Sequence, residues 1–232
     1  FSSQNVTFNT NNYFTITPKI GDDLRLTGVV GMSYLQNDVL TSGIQGESYP
    51  SAVVKNLSGA TSITFGNSSN GRYNFLSYFA RANFSYQDKY IAGLSIRADG
   101  SSRFGPDNRY GYFPAASLGW IMSEESFLKE SSVISYLKIR ASAGVTGNAE
   151  IGENLYNELF LVSNYPNLPG FIPAQLGDPN LKWEKTTQYD AGLEFGLFNN
   201  RLSGEIDIYN KQTRDLLLAV NVPATNGYFD NI

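Results

Sequence analysis

Glu184, Asp190 and Glu194 follow one another on a single strand-like run and are, by type, the residues of this 232-residue chain best suited to acid–base chemistry. Paired carboxylates can cleave a glycosidic bond. In an extended strand, however, spacings of six and four residues separate these groups by roughly 20 Å and 13 Å, beyond the ~5–9.5 Å that such chemistry uses. They read as one polar wall, with Arg81, Arg97, Lys138 and Arg140 as its opposite charges. A second group, Asp99, Arg103, Asp107 and Arg109, falls in or beside a short loop. There it can hydrogen-bond a hydroxyl-rich or zwitterionic ligand, or its members can pair with one another and order the loop. Asp99-Gly100-Ser101 opens like a calcium loop, but Arg103 in its middle and the lack of a closing Glu argue against one. Tyr49, Tyr73, Tyr165 and Tyr228 are loop aromatics that can stack on a sugar ring or pack the loops themselves. The candidate ligand-contacting residues are therefore Arg97, Asp99, Arg103, Arg109, Glu184, Asp190, Glu194 and Tyr228. No catalytic residue, metal ligand or cofactor contact is expected. The chain has neither Cys nor His, which removes Ser-His-Asp and Cys-His catalysis, thiolate metal sites and disulfides. With 17 Lys and Arg against 21 Asp and Glu, and no dense basic stripe, a nucleic-acid partner is not expected.

The elements that must hold these residues are strands. From Trp183 to Lys211 two long runs flank the tight turn Phe198-Asn199-Asn200. Thr187, Tyr189, Ala191, Leu193, Phe195 and Leu197 share one face; Glu184, Thr186, Gln188, Asp190, Gly192 and Glu194 share the other. The return run opposes Leu202, Gly204, Ile206 and Ile208 to Arg201, Ser203, Glu205, Asp207 and Lys211. Each run has room for about 11 to 14 residues, twice a usual globular strand and enough to cross a bilayer at a steep tilt. The same alternation marks Leu24 to Tyr34, Phe75 to Tyr86, Tyr90 to Asp99, Tyr112 to Met122 and Leu137 to Val145, with a weaker first strand over Val6 to Thr17. Gln36 to Tyr73 and Gly147 to Lys182 lack sustained periodicity and read as long loops, and Ser123 to Glu130 reads as a helical turn begun by a serine cap.

Connections along the chain alternate between short and long. In an up-and-down sheet this puts short turns on one edge and long loops on the other, the arrangement of an outer-membrane barrel. Tyr86, Tyr90, Trp120 and Tyr136 gather at the short-turn edge and Tyr112 and Trp183 at the long-loop edge, as candidate aromatic girdles. The competing architecture is a soluble β-sandwich. Strand length opposes it, and so do outward faces rich in small residues such as Ala80, Ala82, Ala92, Ala98, Ala116 and Ala141, which fill a core poorly. The expected fold is all-β: an antiparallel up-and-down transmembrane β-barrel segment of about eight strands. No signal peptide or initiating Met precedes Phe1, so the chain reads as an excerpt of a longer protein.

Several stretches carry a resemblance. Ser77-Tyr78-Phe79-Ala80-Arg81-Ala82-Asn83-Phe84-Ser85-Tyr86, Asp88-Lys89-Tyr90, and Arg97-Ala98-Asp99-Gly100-Ser101-Ser102-Arg103-Phe104-Gly105 resemble the barrel of SusC/RagA-type TonB-linked outer membrane proteins. So do Arg109 to Ala115, Leu137 to Gly144, Gly147-Asn148, Asn180 to Glu184, Gly192 to Gly196 and Ile208 to Lys211. The resemblance implies residence in a bacterial outer membrane of the Bacteroidetes type. It also implies a barrel of about 22 strands, of which 1–232 is part of the barrel domain, with the plug and the TonB-contacting segment outside this chain. The implied activity is import of oligosaccharides or peptides with a SusD-like surface lipoprotein, driven by the TonB complex. A passive outer-membrane porin and a soluble carbohydrate-binding β-sheet protein stand as the alternatives. As a slice of a larger barrel, the isolated piece is expected to misfold or aggregate, because its edges are unpaired.

Overall fold

The structure, a computed structural model, describes residues 1–54, 56–165, 168–220, 223, 225 and 228. Its strands are β1 (Ser2–Ile16), β2 (Lys19–Ile20), β3 (Leu24–Glu47), β4 (Ser62–Tyr86), β5 (Tyr90–Ser101), β6 (Tyr110–Ile121), β7 (Ile134–Asn148), β8 (Leu159–Tyr165), β9 (Leu168–Gln175), β10 (Glu184–Leu197) and β11 (Leu202–Arg214). One nine-stranded antiparallel sheet runs in the order β1-β3-β4-β5-β6-β7-β10-β11, with β2 also on β3, while β8 and β9 form a separate hairpin. Among the described residues β1 and β11 do not pair, so the sheet is an open wall.

Register keeps the two faces apart across the whole wall. Ala82 stands opposite Leu94, Leu94 opposite Ala116, Ala116 opposite Ala143 and Ala143 opposite Tyr189, all on the apolar face. One residue along, Arg81, Ser95, Ala115, Gly144 and Gln188 form the matching row of the other face. The apolar face is not covered: Leu94 is 56%, Leu118 66% and Ile206 57% exposed. A soluble sandwich buries such residues against a second sheet; here hydrocarbon must take that place. Buried hydrophobic residues gather instead at the long-loop edge, where Phe104, Phe113, Ala149, Leu181 and Trp183 cluster.

The turns at the short-loop edge are closed by left-handed backbone. Phe198, Asn199 and Asn200 have φ of 53°, 58° and 59°, a conformation that asparagine tolerates better than most residues.

Two long-loop expectations are corrected. Gln36 to Tyr73 is mostly strand, because β3 and β4 stay paired, with one register shift at Gln45/Gly46, as far as Glu47 and Ser62. Both faces of this ribbon stand above the rim in water, so neither is held apolar, and the period-2 signal that marks a half-buried strand vanishes. Side chains bind the ribbon as well: Asn37 Nδ2 donates to Asn5 Oδ1 at 2.7 Å and to Thr7 Oγ1 at 2.8 Å. Gly147 to Lys182 likewise contains the β8–β9 hairpin. The turn expected over Ser123 to Glu130 is a short 3-10 turn at Met122–Glu124, followed by turn hydrogen bonds from Leu128 and Lys129 to the Glu125 carbonyl.

Candidate functional site: the polar wall and its mouth

The polar face carries an ion lattice near the short-turn edge. Lys138 Nζ lies 3.2 Å from Glu194 Oε1, and Arg140 reaches Glu194 at 3.5 Å, Glu205 at 3.5 Å and Asp207 at 2.7 Å. Arg140 sits on β7 and Asp207 on β11, with β10 between them. The crossing is possible because Gly192 stands opposite both residues, and a Cβ there would collide with Arg140 Nε and Asp207 Oδ1. Of the opposite charges expected for the acidic row, Lys138 and Arg140 therefore pair with Glu194, whereas Arg97 pairs with Asp99 at 2.6 Å and Arg81 has no ion pair among the described residues. Asp190 accepts from Gln188 Nε2 at 2.9 Å and Ser142 Oγ at 3.3 Å. Glu184 accepts the Leu217 N–H at 3.2 Å and Asn148 Nδ2 at 3.5 Å. Sequence reasoning missed Glu205 and Asp207 as lattice members, although Gly192 in the intervening strand is the signal for a side chain crossing it.

Higher on the same face, Tyr73, Arg97, Asp99, Arg103, Asn148 and Trp183 help to line a concavity of about 890 Å³. The Arg97 guanidinium stands 5.8 Å from the Phe79 ring centroid and that of Arg103 4.1 Å from Tyr73, both within cation–π range. Arg103 Nη1 donates to the Ala149 carbonyl at 3.0 Å, tying the β5–β6 loop to the segment after β7. Trp183 Nε1 donates to the Arg109 carbonyl at 3.0 Å, and its ring stands 5.3 Å from both Phe104 and Phe113. The mouth is thus built on an aromatic post. Mutual pairing of Asp99, Arg103, Asp107 and Arg109 does not occur among the described residues; the Ala149 carbonyl and the Tyr73 ring hold Arg103 instead. Tyr228 donates a short hydrogen bond to Glu158, which with burial holds its phenol above the ordinary value. The eight candidates therefore divide between the lower wall (Glu194 in the ion lattice, Asp190 hydrogen-bonded to Gln188 and Ser142), an upper rim (Arg97, Asp99, Arg103, Arg109, Glu184) and the β7–β10 connection that Tyr228 meets through Glu158. Among the described residues no three acidic groups converge to hold a metal ion.

The opposite rim is built for an interface. Tyr86, Tyr90 and Trp120 occupy one paired row of the apolar face, with ring centroids 6.3 Å apart at each step and interplanar angles of 25° and 13°. Glu125, in the following turn, accepts Tyr90 Oη at 2.6 Å, Trp120 Nε1 at 3.1 Å and Lys89 Nζ at 3.4 Å. The hydrogen bonds from Tyr90 and Trp120, and the Lys89 ammonium, hold its carboxyl below the ordinary range against the opposing effect of desolvation. Aromatic rings with one wet edge are the side chains that settle at a bilayer boundary.

A family model described as TonB dependent receptor-like, beta-barrel, matches residues 1–232. The chain belongs to that family. It is 46% identical over 160 residues to the TonB-dependent receptor P39 of Formosa agariphila, covering 67% of this chain and 15% of that protein. It is 44% identical over 165 residues to the TonB-dependent receptor SusC of Bacteroides thetaiotaomicron, covering 68% of this chain and 16% of that one. Its fold matches a solved structure of the RagAB peptide transporter with a TM-score of 0.93 and 31% identity, over 99% of this chain and 26% of that one. The chain thus spans about a sixth of the length of those curated relatives. It is TonB-dependent receptor barrel wall, its Leu94–Leu118–Ile206 face toward outer-membrane lipid and its Glu194–Arg140–Asp207 face toward the lumen.

Proposed function

We propose that this chain is part of the barrel domain of a TonB-dependent outer membrane transporter that imports oligosaccharides or peptides. In this reading a SusD-like surface lipoprotein presents the cargo, and the rest of the protein supplies the plug and the TonB-contacting segment. One observation carries it: a membrane-spanning wall whose inner face, polar from the lattice at Arg140 to the mouth at Arg103, offers hydrogen bonds and charges to a hydrated solute. The relatives support TonB-dependent uptake, since SusC is a TonB-dependent receptor, and the peptide class, since RagAB is a peptide transporter.

The test is uptake by cells carrying the full-length protein, with labelled maltoheptaose and a labelled casein digest as probes. Uptake of one probe should require the protein and stop when a protonophore collapses the proton gradient. Uptake that survives the protonophore would instead identify a passive porin.

A further inference from the structure

Above the rim, among the described residues, β4 runs on without a neighbouring strand on one side. β5 ends at Ser101, opposite Phe75, whereas β4 continues upward to Ser62, paired only with β3. A strand turns the N–H and C=O of alternate residues to the same side. The Asn74 N–H donates to Ser102 Oγ at 2.9 Å, the Asn74 carbonyl accepts the Ser102 N–H at 3.0 Å, and the Arg72 N–H donates to Glu153 Oε2 at 2.7 Å. Even-numbered residues therefore face away from β3, and the backbone pairs of Asn70, Ser68 and Gly66 continue that row with no partner among the described residues.

Natural sheets protect such an edge with charge, proline, a bulge or a cover. From Gly66 to Asn70 this one has neither charge nor proline, every residue from Ser62 to Asn70 is exposed, and the space around Gly66 is open. Glu153 shows how the edge is approached. Its carboxylate takes the Arg72 N–H while lying over Gly71, where a Cβ would stand 2.9 Å from Oε2. An acceptor oxygen on a backbone N–H at this position is what the carbonyl of an added strand would supply.

We propose that the edge of β4 from Gly66 to Asn70, without a partner among the described residues, binds an extended peptide as an added strand. Donor–acceptor pairs repeating every second residue match a polypeptide backbone and not a sugar ring. Side chains at Asn67, Ser68, Ser69 and Asn70 are short and form no pocket, so binding is by backbone with little sequence preference. The same strand leads down through Tyr73 to the concavity beside Arg97, Asp99 and Arg103, which gives the peptide a path into the lumen. The proposal rests on the uptake reading for the origin of the peptide, and makes it cargo.

The test uses the full-length protein in detergent and a fluorescein-labelled decapeptide of alternating Thr and Ala, read by anisotropy. The double substitution Ser68→Pro and Asn70→Pro removes two N–H groups of the open edge and none that β3 uses, and proline is tolerated where an edge N–H faces solvent. Loss of two ladder hydrogen bonds should weaken binding about tenfold or more, with heat-modifiable migration on gels unchanged. N-methylation of alternate residues of the decapeptide should abolish binding in one register and spare it in the other. Equal affinity for both proteins, indifference to N-methylation in both registers, or absence of peptide binding to the wild type overturns the proposal. If maltoheptaose or digest uptake stays protonophore-sensitive in the proline variant, the edge is unused while the uptake reading stands; loss of that sensitivity in the wild type removes the uptake reading itself.

Discussion

Glu125 shows how one carboxylate can fasten a membrane boundary. Three donors from two strands and a turn converge on it, and they favour its charged form, which is why its carboxyl lies below its ordinary value of 4.5. A group whose folded pKa is lowered contributes stability that is complete above its unfolded pKa and is lost as pH falls through the folded one. Glu125→Gln keeps an acceptor oxygen for Tyr90 or Trp120 but gives up the charge facing Lys89. In lipid-reconstituted full-length protein titrated with urea, this variant should therefore be less stable than wild type at pH 7. The difference should shrink steadily as pH falls below 4.5 and vanish once both carry a neutral side chain. A difference independent of pH would mean that the side chain acts through shape alone. The lattice around Arg140 works differently: its charges are partly exposed on a wet wall, where each pair contributes about 0–1 kcal/mol. Its worth lies in setting the lumen's charge pattern.

At the scale of the element, the two faces of one strand have opposite tolerance. Ser142 and Ala143 are neighbours on β7, the first hydrogen-bonded to Asp190 on the lumen side and the second paired with Ala116 on the lipid side. Ala143→Arg places a guanidinium in hydrocarbon and should cost about 2–4 kcal/mol in lipid if Ala143 lies near the midplane. Ser142→Arg places it beside Asp190 and should change stability by under ~1 kcal/mol. Urea titration of both variants in the same lipid checks the contrast, and equal costs would reverse the assignment of faces. That contrast was legible in the sequence, because from Leu24 to Tyr34 and from Glu184 to Leu197 one side must be apolar and the other wet. The upper halves of β3 and β4 were not legible, since a strand with water on both sides, such as Asn67-Ser68-Ser69-Asn70, obeys no such constraint. Within the site, the acidic row Glu184–Asp190–Glu194 could be read from parity. The partners of Arg103 could not, because a backbone carbonyl and the Tyr73 ring leave no mark in the charge pattern.

For the whole molecule, the decisive property is that, among the described residues, the wall does not close on itself. Strands β1 and β11 each leave a row of backbone N–H and C=O groups without partners among the described residues, along 15 and 13 residues respectively. Hydrocarbon cannot satisfy those groups, at a cost of several kcal/mol for each one left bare, and water cannot satisfy the apolar face that carries Leu94, Leu118 and Ile206. Neither solvent suits the segment alone. In the full-length barrel proposed above, these edges would have neighbouring strands, and the pairing energy of β1 and β11 would belong to an assembly larger than residues 1–232. Expressed by itself without lipid, the segment should therefore collect as aggregate with cross-β character, its two edges templating pairing between copies. In detergent micelles it should show strand circular dichroism but no heat-modifiable band, since that band reports a closed barrel. A monodisperse, detergent-free monomer on size-exclusion chromatography would contradict this, and would mean that β1 and β11 find a closure within the segment.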